Sequence, residues 1–184
     1  MFLDVDAAIR GRRSIRSYLS KPVPIGVVCE ILEAGMWAPS AWNRQPWRFI
    51  VLTGDAKKRF TDSFRLEVEC LSARMGGKSR GSSFSSCSTM EQAPVLVMVW
   101  STGNPSSESA SHSVAAAIQN MLLKAYSLGL GSLWIGDIHY ASDLVTRLLN
   151  KPLELVAAVA IGWPAAFPDP KPRPAVSEVT EFLS

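Results

Sequence analysis

The chain has 184 residues, 47% of them hydrophobic and 19% charged, with 19 Lys+Arg against 16 Asp+Glu for a formal net charge of +3. That length suits one sizeable core, and the composition is globular rather than disordered or collagen-like. No run of about 18 apolar residues predicts a membrane span, and so small a basic excess does not by itself point to nucleic acid.

Residues 4–11 read as a short helix leading into a basic turn. The first sixteen residues carry acids and arginines rather than an apolar leader, so a cytoplasmic protein is expected. A second helix follows Pro22 and Pro24, with Val27, Val28, Ile31, Leu32 and Gly35 on one face; Pro24 suits its first turn, and Pro39 ends it near Ala38. Cys29 falls in this pattern and is expected as a small core residue. A loop from Pro39 to Pro46 leads to a strand over 47–53, and Gly54-Asp55 turns into a helix over about 56–74. Residues 76–90, rich in Gly and Ser with little periodicity, read as a mobile flap.

Residues 94–100 form a buried strand. The most hydrophobic helix covers about 109–128 and stops at Gly129, which suits a left-handed cap. A strand over 132–135, a helix over 141–149 and a strand over 155–161 complete the body. Five prolines between 164 and 174 then keep an arm, about 164–184, extended. One domain over 1–184 is expected. Three cysteines without a C-x-x-C pair predict no disulfide framework, and His112 and His139 alone predict no metal site.

Four segments carry chemistry. In Arg12-Arg13-Ser14-Ile15-Arg16, guanidinium groups and a hydroxyl suit a phosphate, although a solvated basic turn has the same composition. In Ala38-Pro39-Ser40-Ala41-Trp42-Asn43-Arg44-Gln45-Pro46-Trp47, two amides held between prolines and flanked by Trp42 and Trp47 suit a flat heteroaromatic ring. Glycines in Gly129-Leu130-Gly131-Ser132-Leu133-Trp134-Ile135-Gly136 allow close backbone approach to a ligand, but the order helix, glycines, strand is not the dinucleotide fingerprint. Lys171 and Arg173 alternate along a proline-held strip, so both charges can face one way. Gly77-Lys78-Ser79 looks like the end of a P-loop, but Ser72 stands where that motif needs glycine.

In this order, RRSIR, APSAWNRQPW, GLGSLWIG and IGWP with KPR resemble the FMN-dependent nitroreductase family, from Arg12 to about Val179. The resemblance implies an α+β fold, an α/β/α sandwich around a mostly antiparallel sheet, in an intertwined homodimer with FMN at the interface. It implies that Arg12, Ser14 and Arg16, with Arg13 beside them, bind the phosphate and ribityl chain, completed by Lys171 and Arg173. The two basic ends are expected to converge across paired subunits. Pro39, Ser40, Asn43 and Gln45 would line the ring edge, and Leu133, Trp134, Ile135 and Gly136 would approach flavin N5 through main chain. No side-chain nucleophile is expected.

The activity implied is transfer of electrons from NAD(P)H to a small organic acceptor, such as a nitroaromatic or quinone, by a ping-pong mechanism. A flavin carrier or sensor without turnover is the alternative. Residues Ser79–Ser85 lack the Glu-Tyr-Lys set of the deiodinating branch.

Overall fold

Strands rich in valine, isoleucine and aromatic residues build one antiparallel sheet. The computed structural model describes residues 4–74, 81–103, 108–150 and 153–183. The strands are β1 (Trp47–Leu52), β2 (Val95–Ser101), β3 (Gly131–Ile135) and β4 (Glu154–Gly162), in the spatial order β1-β2-β4-β3. Trp47 lies opposite Ser101, Val95 opposite Ile161, and Gly131 opposite Gly162. β1 and β3 are therefore the edges.

The helices in chain order are α1 (Val5–Gly11), α2 (Ile25–Met36), α3 (Gly54–Arg74), α4 (Gly81–Gln92), α5 (Glu108–Ser127), α6 (Ser142–Leu149) and α7 (Val176–Val179). Side chains alternate across the sheet, as a strand period of two requires. Leu96, Met98 and Trp100 of β2 pack with Phe60 and Phe64 of α3 and Met90 of α4 on one face. Val95, Val97 and Val99 pack with Ile31 of α2 and Ile118 and Met121 of α5 on the other. The expected α+β sandwich is thus the fold.

α5 buries Val114, Ala117, Ile118, Met121 and Ala125. Its end is the one expected: Gly129 has φ +77, and the N–H of Leu130 donates back to the carbonyl of Ala125 at 2.9 Å. That closes orphan carbonyls through a conformation glycine adopts without a Cβ penalty.

Two expectations fail. Cys29 is exposed, because the buried stripe of α2 runs through Val28, Ile31 and Gly35 and one residue turns the helix by about 100°. The expected flap is largely a packed helix. Residues 76–80 lie outside the described residues, but α4 buries Cys87, Thr89 and Met90. Arg65 of α3 grips Glu91 through two nitrogens at 2.5 and 2.6 Å. Lys57 Nζ donates to the carbonyls of Met90 and Glu91, closing the last turn of α4.

Candidate functional site

The basic turn after α1 is held against the sheet by backbone. The N–H of Ile15 donates to the carbonyl of Ser132 at 3.0 Å, and Ser14 bridges Ser132 in parallel. Glycine at 131 permits this, since a Cβ there would fall 2.7 Å from the Ile15 side chain. Further along, the N–H of Leu19 donates to the Trp163 carbonyl and the N–H of Ala165 to the Ser17 carbonyl. Tyr18, buried between these contacts, donates from Oη to the Ile15 carbonyl at 2.9 Å. The start of the chain and its proline arm are zipped side by side.

Between them lies a concavity of about 520 Å³. Arg12, Arg13, Ser14 and Arg16 line it from one end of the chain, Lys171 and Arg173 from the other. Arg10 and Asp169 complete its charges, six cations against one carboxylate. Arg13 is committed, donating to the carbonyls of Arg10 and Arg12 at the end of α1. Arg16 donates to the Ser14 carbonyl at 3.3 Å.

No side-chain hydrogen bond or ion pair engages Arg12, Lys171 or Arg173 among the described residues. Burial first, and then the like charges of Arg13 and Arg173, lower the pKa of the Arg12 guanidinium. Such crowding leaves an electrostatic deficit that a dianionic phosphate would fill. Ser132 Oγ, on β3 beside Ser14, is buried without a hydrogen-bond partner among the described residues, but Ser132 does not line the cavity. The cavity's own donors, the Arg12 and Arg173 guanidiniums, the Lys171 ammonium and the Ser14 hydroxyl, fit a phosphate ester.

The Asn43 loop lies elsewhere. It follows Pro39 and contains a 3-10 turn at Ala41–Asn43. The N–H of Gln45 donates to Ser40 Oγ at 3.0 Å, and Gln45 Nε2 donates to Asn43 Oδ1 at 3.1 Å. Trp42, Asn43 and Gln45 hold φ of 56, 53 and 47. Left-handed backbone costs a non-glycine residue about 1–2 kcal/mol, and such strain clusters at functional sites. Of the two expected ring walls, Trp47 is instead a core residue, whereas Trp42 is 89% exposed.

α5 measures how far apart these two groups lie. The N–H of Ala41 donates to Ser113 Oγ near its start. Gly11 abuts Tyr126 near its end, where a Cβ on the glycine would fall 2.1 Å from the tyrosine hydroxyl. At 1.5 Å per residue those points are roughly 20 Å apart. The expectation that the two basic ends meet across subunits is therefore corrected. They meet within one chain, and it is the Asn43 loop that stands apart.

Leu133 and Ile135 bury their side chains in the core, while Trp134 and Gly136 are exposed. β3 pairs with β4 on one side only, so beyond Ser132 its outer backbone edge is open among the described residues. The turn that follows is fixed to α4, where Ser86 Oγ donates to the Asp137 carboxylate at 3.1 Å.

The profile of the Nitroreductase family matches residues 9–163, a span holding the basic turn, the Asn43 loop and β3. The chain belongs to the Nitroreductase family. It is 32% identical over 174 residues to a protein of Methanothermobacter thermautotrophicus assigned as an NADH dehydrogenase/NAD(P)H nitroreductase, covering 90% of this chain and 80% of that one. A shorter match, 56% identical over 57 residues, to an NADH dehydrogenase of Thermus thermophilus covers 31% of this chain and only 28% of that protein. A Desulfovibrio desulfuricans structure assigned as a nitroreductase, solved in complex with FMN, superposes with a TM-score of 0.79 at 32% identity, covering 100% of this chain and 99% of that one.

Nitroreductase family membership makes this chain an oxidoreductase that uses FMN and NAD(P)H. Among the charged residues of the basic cavity, Asp169 is the one that the sequence did not single out. Asp169 has a legible signal, since it shares the alternation that marks Lys171 and Arg173.

Proposed function

We propose that the cavity between the two ends of the chain seats the phosphate of FMN, and that residues 1–184 act as one FMN-binding domain of a cytoplasmic homodimer. The protein passes electrons from NAD(P)H to small organic acceptors such as nitroaromatics or quinones. The observation that carries this reading is the convergence of Arg12, Lys171 and Arg173, unpaired among the described residues, on one concavity. Among the described residues no helix is long and apolar enough to cross a membrane.

Bound FMN supplies reversible electron transfer between donor and acceptor. The chain's own residues hold and orient it. Arg12, Arg13, Ser14, Arg16, Lys171 and Arg173 grip the phosphate and ribityl chain. The open edge of β3 over Leu133, Trp134, Ile135 and Gly136 offers main-chain donors to the ring. Pro39, Ser40, Asn43 and Gln45 border the ring edge. Because that loop lies roughly 20 Å from the cavity of its own chain, the loop that borders a given ring is the partner's. Donor and acceptor use the same open face in turn, which gives ping-pong kinetics, and no side chain serves as a nucleophile.

The purified protein should be yellow and release FMN on denaturation. NADH or NADPH under anaerobic conditions should bleach it, and a quinone or nitroarene should restore the colour. Double-reciprocal plots should be parallel, with the two substrates mutually competitive. Protein that takes up no FMN overturns the reading. Bleaching that no acceptor reverses makes the chain a carrier or sensor, and intersecting plots remove the shared face.

A further inference from the structure

We infer that the Asn43 loop also builds a subsite for the electron acceptor, one that takes a planar aromatic ring bearing a carboxylate. The inference rests on the flavin reading above, since the loop is shared, but it uses two residues that reading leaves idle. Trp42 and Arg44 flank Asn43. Trp42 is held at φ 56 with its indole 89% exposed. Bulky residues rarely occupy that backbone region, and so bare an indole is unusual as well.

Arg44 lines a second concavity of about 330 Å³, walled by Ala41, Pro46, Thr102, Gly103 and Ser113 among others. The guanidinium has no hydrogen bond or ion pair among the described residues. Two hydroxyls of the wall are already donating, Thr102 Oγ1 to the Pro46 carbonyl at 3.2 Å and Ser113 Oγ to the Ser109 carbonyl at 2.7 Å. Arg44 is the one charged side chain among the described lining residues.

A planar donor fork with spare hydrogens matches a carboxylate through two parallel bonds. Trp42 does not itself line the Arg44 cavity, but the Cα atoms of Trp42 and Arg44 can be at most about 7 Å apart, within the span of one substituted aromatic ring. The ligand's ring lies on the indole, and its carboxylate enters the Arg44 cavity. For such a nitro acceptor, one NAD(P)H and one proton convert the nitro group to nitroso with loss of one water and release of NAD(P)+. The carboxylate is unchanged throughout and serves only as a handle.

The test compares 4-nitrobenzoate with uncharged nitrobenzene on the FMN-loaded enzyme at saturating NAD(P)H. Wild type should favour 4-nitrobenzoate in kcat/KM by about tenfold, as expected for a charge-assisted hydrogen bond. Arg44→Met should bring that ratio close to one, Arg44→Lys should restore part of it, and Trp42→Ala should raise KM for both acceptors. Benzoate should perturb the flavin spectrum of wild type and bind about tenfold more weakly to Arg44→Met.

No preference in wild type overturns the proposal, as does an equal loss for both acceptors in Arg44→Met. A rise in KM for NAD(P)H alone also overturns it, because the cavity then takes the donor's phosphates. If Arg44→Met does not fold, the wild-type comparison and Arg44→Lys decide. Reduction of nitrobenzene by FMN-loaded wild type keeps this outcome separate from the flavin reading, whose own failure is protein that takes up no FMN.

Discussion

Arg12 shares its cavity with like charges and has no carboxylate bonded to it among the described residues, so it gains most from an arriving phosphate. Arg12→Ala should weaken FMN binding by about 1.5–3 kcal/mol. Titration of the apoprotein by flavin fluorescence measures this, and unchanged affinity removes Arg12 from the site. Burial acts on two other groups in the opposite sense. It pushes the Cys87 thiol up to about 11, so at pH 8 that sulfur is neutral as well as covered. Cys29 and Cys70 are exposed. Alkylation at pH 8 should therefore modify those two in the native protein and reach Cys87 only after denaturation, as mass spectrometry would count.

Burial likewise raises the Tyr18 phenol well above its ordinary value of about 10. A raised folded-state pKa gives stability that is complete below the unfolded value and lost as pH climbs past it. Tyr18→Phe should therefore flatten the fall in urea midpoint between pH 9 and pH 11. Equal slopes in the two proteins would show that Tyr18 is not the titrating group.

At the scale of elements, α4 and α5 mark what could and could not be read in advance. α5 was legible because its apolar residues recur at helical spacing and a glycine stops them where the backbone must turn left-handed. α4 was not. Its sequence, Gly81–Gln92, is mostly small polar residues of modest helix propensity. What makes it a helix is tertiary: Met90 seated in the core, Lys57 on its last carbonyls and Arg65 on Glu91. The spacing of Ser83, Cys87 and Met90 is its one local signal. Glu91→Ala should thus cost about 1–2 kcal/mol, since a paired and partly buried carboxylate is lost. Urea denaturation checks it, and a cost near zero would mean that packing alone holds α4.

On the scale of the whole molecule, the arm is bare. Val176, Val179, Phe182 and Leu183 are 68–88% exposed, and in the proposed homodimer this apolar surface would be covered by the partner. A chain ending at Pro174 keeps Lys171 and Arg173 but loses these side chains, and it should sediment as a monomer at concentrations where the full chain is dimeric. Dimers of both proteins would place the interface elsewhere. The residue types around the site were readable from the sequence, because arginine pairs with phosphate and amides with heteroaromatic edges wherever they stand. That the two basic ends converge was expected as well; that they do so within one chain was not. Whether Arg12 meets Lys171 inside one chain depends on the Leu19–Trp163 and Ser17–Ala165 backbone bonds, which no local pattern announces.

The span that α5 puts between the basic cavity and the Asn43 loop has a genetic consequence. In the proposed homodimer, Arg12→Ala and Asn43→Ala would each damage every site in their own dimers. A mixed dimer gathers both lesions into one site and leaves the other with a full set of groups. Co-refolding the two crippled proteins in equal amounts should then recover about a quarter of the wild-type sites, half the dimers being mixed and each of those carrying one sound site. Two defects that cure each other by assortment, with no contact made that either parent lacked, are what a ligand shared between two chains demands.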